Sequence, residues 1–156
     1  MILAKFIATG FFSGLLKPAP GTWGSLVAIG IVYMIGLLAP SIQKKSIVAV
    51  FLIVSIVGTY ATHLYIQSDI NKKDKDPSEV VIDEWAGQIL TFILVPINPY
   101  TLLAGFILFR FFDISKLWPI SAFEKIKGAA GIMLDDIVAG LFAAVTLRIL
   151  YEYYLK

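Results

Sequence analysis

The chain has 156 residues, of which 58% are hydrophobic and 15% charged, with a mean hydropathy of +0.83 and a net charge of +2. Soluble domains usually hold about 45–50% apolar and about 25% charged residues, and so short a chain still needs polar surface, so the excess argues against an ordinary soluble domain. The small net charge, with no basic run interleaved with exposed aromatics, argues against nucleic acid as a partner, and the lack of cysteine excludes disulfides, zinc–thiolate centres and a cysteine nucleophile.

The apolar residues come in blocks at residues 23–39, 46–66, 80–95, 100–112 and 132–150. Two of these approach the roughly 20 residues that a helix needs to cross a bilayer. The expectation is one domain over residues 1–156, an all-α multi-pass membrane helical bundle. It has about four spanning helices, preceded by an N-terminal interfacial or re-entrant helix. A soluble hydrophobic bundle is the lesser reading.

The N-terminal stretch MILAKFIATGFFSGLLKPAPG lacks a small-residue cleavage site and is not read as a cleaved signal peptide. Pro18, Pro20 and Gly21 break the chain, and Thr22 is placed to cap the first long helix. That helix ends near Pro40. A polar link with Lys44 and Lys45 leads to a second long helix, which runs to about Ser68. Residues 68–79, SDINKKDKDPSE, read as an exposed loop in which Lys72, Lys73 and Lys75 mix with Asp74 and Asp76. The helix over 80–95 stops at Pro96. The short 96–99 link makes the helices on either side antiparallel neighbours.

Asp83, Glu84, Asp113, Asp135 and Asp136 lie at the edges of these apolar runs. A carboxylate there is costly unless it is paired, protonated or bound to a cation. Asp83 lies 13 residues before Pro96, and Asp113 lies 14 after Pro99. At 1.5 Å per residue both sit roughly 20 Å from the turn, at the same end of the hairpin. The last helix starts from that side after the 127–131 link, with Asp135 and Asp136 in about its first turn. All five acids therefore come to one face.

Lys17, Lys72, Lys73, Lys75, Lys116, Lys125, Lys127 and Arg110 share that side, against Lys44, Lys45, Arg148 and Lys156 opposite, a bias that favours a cytoplasmic acid face. The echo D-x-x-A-G at residues 83–87 and 136–140 puts a Gly one turn after each Asp and reads as a shared packing solution. Trp23, Trp85 and Trp118 fall near the same face and read as an interfacial aromatic belt. The lone His63 reads as structural or interfacial and not as catalytic.

Carboxylates suit a hard divalent cation, Lys and Arg suit phosphate oxygens, and a helix N-terminus at Pro20–Thr22 offers an anion site. Together they describe metal-assisted phosphoryl chemistry at a membrane surface. An ion-coupled transporter and a non-enzymatic scaffold are the rival classes.

The segments PAPGTWGSL (18–26), VVIDEWAGQ (80–88), FRFFDISKLWPI (109–120) and GAAGIMLDDIVAG (128–140) resemble the signature blocks of the phosphatidylglycerophosphatase A family. The resemblance implies a Mg²⁺-dependent lipid phosphatase of the bacterial inner membrane, multi-pass and active on the cytoplasmic side. Its substrate would be the phospholipid phosphatidylglycerophosphate. Members often carry Lys-Pro-Trp-Pro where this chain has Lys116-Leu117-Trp118-Pro119, a departure that bears on loop shape.

Asp83, Glu84, Asp113 and Asp136 are the expected catalytic acids and metal ligands, with Lys116 as catalytic cation. Asp135 is a further metal candidate, or positions a Lys or a loop. Asp136 is preferred over Asp135 because it heads the echo, and adjacent helix residues diverge by about 100°. Thr22, Ser25, Arg110 and Lys116 are the candidates for phosphate binding. Each has a plainer reading: Thr22 as a cap, Arg110 in an ion pair with Asp113, Lys116 at the surface.

Overall fold

A computed structural model describes residues 1–68, 77–123 and 125–155, the last of these without its side chain. Among the described residues there are seven α-helices and no strands: α1 (Ile2–Ala8), α2 (Pro20–Leu38), α3 (Gln43–Ile66), α4 (Ile82–Leu90), α5 (Pro99–Ser115), α6 (Ile120–Phe123) and α7 (Ala129–Leu150). Three stretches are long and apolar enough to cross a bilayer: Pro20–Leu38, Pro40–Ile66 and Ala129–Tyr154. The first two are buried over only 28% and 22% of their apolar windows, and their outer faces carry Leu26, Leu38, Ile53 and Ile56 exposed. Such faces suit lipid, which has no need of polar cover. The all-helical expectation holds.

α2 begins three residues earlier than the capping reading allows. Ala19 is its N-cap, Pro20 and Gly21 open it, and Thr22 lies inside the first turn with its backbone N–H on the Ala19 carbonyl. Proline suits that opening position because its missing N–H would be unpaired there anyway. Thr22 therefore does not cap the helix.

α4 is shorter than the 80–95 run. Val81 precedes it in a non-helical conformation, its N–H donating to Ala8. Beyond Leu90 the amides of Phe92 and Ile93 bond to carbonyls three residues back, and the Thr91 hydroxyl donates to Gly87. Tight turns of this kind close a helix. At 9 residues α4 is only about 14 Å long, too short to cross a bilayer, and all of it except Glu84 is buried. α5 is longer than predicted at both ends. Asn98 and Thr101 form a capping box, Pro99 opens the helix, and Lys116 closes it with φ +45°.

The bundle has two distinct ends. At one, Gln43 of α3 donates to Val95 and accepts from the Ile97 amide, while Arg148 of α7 donates to Leu94. This end holds the α4–α5 turn. The other end holds the starts of α2, α4 and α7 and the end of α5. α4 and α5 touch where Phe109 meets Gly87 and Phe92 meets Gly105, but each packs more on α7 than on the other. The hairpin is thus wedged by α7 and is less a simple pair than the short link implies.

α4 and α7 run parallel and cross at the two echo glycines. A Cβ on Gly87 would fall on the Asp136 carbonyl oxygen, and one on Gly140 would fall on the Gly87 carbonyl oxygen, both well inside contact distance. Packing is therefore what the D-x-x-A-G echo encodes, and it seats Asp83 and Asp136 side by side one turn above the crossing. Gly140→Ala is expected to cost about 1–3 kcal/mol or more, because backbone and not a side chain must yield; thermal unfolding in detergent checks this. An unchanged melting temperature would contradict it.

The N-terminal hook packs on the segment leading into α4. Gly10, Phe11 and Phe12 have positive φ, and a Cβ on Gly14 would fall on the Glu79 carbonyl. Trp85 corrects the aromatic-belt reading. It is buried against Phe11 with ring centroids 5.2 Å apart, whereas Trp118 is 83% exposed and Trp23 41%. The lysines of residues 69–76 and Lys156 lie outside the described residues, as does most of the loop predicted for 68–79.

Candidate active site

Asp83 and Glu84 occupy the first turn of α4, Arg110 and Asp113 the last turns of α5, and Asp135 and Asp136 the second turn of α7. The first-turn placement expected for the α7 acids is one turn short, because α7 starts at Ala129 and not at residue 132. Their side chains, with Lys116, line a cavity of about 320 Å³ at this end of the bundle, closed on one side by Ala19, Pro20 and Gly21 of α2 and on another by Pro77 and Ser78.

The acids divide into two groups. Oxygens of Asp83, Glu84 and Asp136 lie within 4.8 Å of one another, and bases reach this trio only at its edges, Lys116 at 3.5 Å from Asp136 and Arg110 at 3.8 Å from Glu84 among the described residues. Asp113 and Asp135 are held by bases. Arg110 Nη1 donates to Asp113 Oδ2 at 2.6 Å and lies 3.8 Å from Glu84 Oε1. Lys116 Nζ donates to Asp135 Oδ2 at 2.5 Å, with Asp113 at 3.4 Å and Asp136 at 3.5 Å. The positive φ of Lys116 turns its side chain back from the helix end toward these acids. Glu84 Oε2, Asp135 Oδ1 and Arg110 Nε are buried with no hydrogen-bond partner among the described residues.

Five carboxylates thus face two cationic groups in one small cavity. Burial, and then the neighbouring Glu84 carboxylate, pushes Asp83 well above the usual carboxylate range. Burial, with help from Asp136 and Asp113, pushes Glu84 up to about 8. Lys116 moves the other way from what burial asks: burial disfavours its charge, but Asp136, Asp135 and Asp113 together outweigh that and hold the ammonium on. The trio has the donor set of a hard divalent-cation site: all oxygen, acidic, close-set, with one orphaned oxygen. A cation would take the place of the protons that Asp83 and Glu84 otherwise hold.

The family model that matches residues 6–151 of the chain is described as phosphatidylglycerophosphatase A. The chain belongs to this family.

Among curated relatives, the Haemophilus influenzae protein named phosphatidylglycerophosphatase A is 35% identical over 142 residues, covering 89% of this chain and 83% of its own length. The Escherichia coli protein of the same name is 39% identical over 140 residues, covering 88% and 77%. A Bacteroides thetaiotaomicron protein, provisionally named as a phosphatidylinositol-3-phosphatase, is 33% identical over 158 residues, covering 94% and 92%. No solved structure matches the chain.

In this member of the phosphatidylglycerophosphatase A family the structure brings Asp83, Glu84, Arg110, Asp113, Lys116, Asp135 and Asp136 together and leaves two candidates out. Thr22 is off the cavity wall. Ser25 is fully buried and donates its hydroxyl to the Gly21 carbonyl one turn back, so it cannot reach a phosphate. His63 is exposed beside Gln67, away from the cavity. Asp113 is tied to bases and is not in the trio. Gly21 is a wall residue that carboxylate and cation spacing could not point to; its signals were the break at Pro20-Gly21 and the helix start read there as an anion site.

The raised acids make a pH prediction. Folded Glu84 keeps its proton to about 8 while the ordinary value is 4.5, so the folded protein binds more protons between these limits. Stability of the cation-free protein is therefore present at the acid end and is lost as pH rises through that window. Melting temperatures in chelator should fall from pH 5 to pH 8, and the fall should flatten when a divalent cation is added. A cation-free melting temperature that rises over that range would contradict the assignment.

Proposed function

We propose that the chain hydrolyses the terminal phosphomonoester of phosphatidylglycerophosphate, giving phosphatidylglycerol and inorganic phosphate, with Mg²⁺ held by Asp83, Glu84 and Asp136. One observation carries this reading beyond family membership: a close-set acid trio in a cavity at the end of the bundle whose five carboxylates outnumber its two bases. Left to itself, a site with more carboxylates than bases would repel a phosphate dianion. A divalent cation held there would reverse that balance and favour phosphate binding.

When bound, the cation supplies Lewis-acid polarisation of a phosphate oxygen and a more acidic water. Asp83, Glu84 and Asp136 would hold it. Arg110, with its buried Nε free, and Lys116 donate to the phosphate oxygens as charge develops on them. Asp113 and Asp135 keep those two bases in place and in charge. Water adds to phosphorus, the bond from phosphorus to the glycerol oxygen breaks, and that oxygen takes up a proton. The apolar outer faces of α2 and α3 keep the protein in the bilayer, so the diacylglycerol portion of the substrate need not leave it.

The chain is read as a multi-pass protein of the bacterial inner membrane, with the cavity on the cytoplasmic side. Lys17, Lys116, Lys125 and Lys127 near that end support the orientation. Reporter fusions placing the 69–76 segment outside the cell would overturn it. The activity test uses purified protein in mixed micelles with phosphatidylglycerophosphate, with Mg²⁺ or with chelator. Mg²⁺-dependent phosphate release is expected; its absence defeats the proposal. Phosphatidylinositol-3-phosphate in the same assay tests substrate range, prompted by the name of the third relative.

A further inference from the structure

We infer that Gly21 is a positioning residue for the cation site. The missing side chain of Gly21 leaves the space in which the Glu84 carboxylate lies, so the first turn of α2 decides where that ligand points. The inference rests on the cation reading above.

Gly21 stands on the cavity wall, and a Cβ there would fall on Oε1 of Glu84, well inside contact distance, and 3.1 Å from Nη1 of Arg110. The other glycines meet different neighbours. Gly14, Gly87, Gly131 and Gly140 face backbone atoms, and Gly24, Gly36, Gly58 and Gly105 face aliphatic or aromatic side chains. A methyl at those positions disturbs helix packing. At Gly21 the obstructing atom is the end of a flexible side chain that borders a cavity, so the fold yields cheaply. What yields is a ligand oxygen.

The backbone does not ask for glycine here. Residue 21 is helical, and glycine inside a helix is up to about 1 kcal/mol worse than alanine. Its carbonyl is fixed by the buried Ser25 hydroxyl at 2.9 Å, so the turn cannot easily shift to make room. Glu84 would have to swing instead. Any swing away from α2 changes its approach to Arg110 at 3.8 Å and to the oxygens of Asp83 and Asp136.

The test compares Gly21→Ala, Gly21→Ala/Glu84→Asp and Gly30→Ala with the wild type. Gly30 lies on the same helix with nothing within 4 Å of its would-be Cβ, so it controls for the helix effect. Three quantities are measured: cation-free melting temperature, Mn²⁺ affinity by electron paramagnetic resonance, and Mg²⁺-dependent phosphate release. Gly21→Ala should keep or raise the cation-free melting temperature. It should weaken Mn²⁺ binding about tenfold or more, the cost typical of misplacing a ligand through its support, with turnover falling in step. The Asp variant, one methylene shorter, should recover part of both losses; Gly30→Ala should match the wild type.

Wild-type affinity and turnover in Gly21→Ala would overturn the inference. So would a drop in cation-free stability that Glu84→Asp does not relieve, since that is a packing role. If the wild type binds no Mn²⁺, the cation reading fails separately. The turnover arm still decides whether Gly21 positions Glu84: a loss that Glu84→Asp partly restores supports that part of the inference, and no loss overturns it.

Discussion

Asp83→Asn and Asp136→Asn, made one at a time, are expected to lower Mg²⁺-dependent phosphate release by on the order of 10²–10³-fold, the range that loss of one preorganised electrostatic contact costs. The same variants should melt no lower than the wild type in chelator. The two expectations have one cause. Each acid is buried near the α4–α7 crossing, Asp136 at 3% exposure; among the described residues no base pairs with Asp83, and Asp136 has Lys116 at 3.5 Å, a base it shares with Asp113 and Asp135. Both carboxylates are desolvated with little compensation until a cation arrives. The amide keeps the shape and removes the charge. For Asp83 the sign can be checked: its folded pKa is raised, so at neutral pH its ionisation opposes folding and its removal helps. A cation-induced rise in melting temperature, clear in the wild type, should vanish in both variants. Near-normal turnover, or a large drop in cation-free stability, would remove these two residues from the site.

Lys116→Met should act in the opposite direction on the fold. Lys116 Nζ serves Asp135, Asp113 and Asp136 at once, from 2.5 to 3.5 Å. Removing one partner of a buried ion pair costs about 3–5 kcal/mol, because the other charge is left stranded. The Lys116 side chain is 28% exposed, so a smaller loss of about 2 kcal/mol is expected after allowing for solvent screening. Turnover should fall as well, since the phosphate loses a donor. Adding Asp135→Asn should return most of the stability and little of the turnover. That split separates the two roles of Lys116: chemical denaturation reads the first and phosphate release the second. Recovery of turnover together with stability would mean that Lys116 only holds the fold.

Much of this was legible in the chain. The apolar blocks announced a membrane bundle, and helix rise alone put Asp83 and Asp113 at one end. The D-x-x-A-G echo marked the Gly87–Gly140 crossing, because a glycine one turn from an acid is a local pattern. Other features were not legible. The capping reading of Thr22 failed because Pro20 can open a helix without an N–H to satisfy. Trp85 looked like a belt residue by its position in sequence, yet the N-terminal hook covers it. Ser25 looked like a phosphate ligand, and its hydroxyl is spent on the Gly21 carbonyl.

The chain by itself determined what can be read along one helix: which stretches are apolar, where they stop, and how far each acid lies from a turn. Those quantities follow from periodicity and from a rise of about 1.5 Å per residue, both local. Tertiary structure alone decided the partners. It put Asp136 with Asp83 and Glu84, gave Asp113 and Asp135 to Arg110 and Lys116, and set Gly21 against Glu84. These pairings depend on how each helix is rotated and at what depth it meets its neighbours. Close packing across helices far apart in sequence sets those two variables, and no window along the chain contains them.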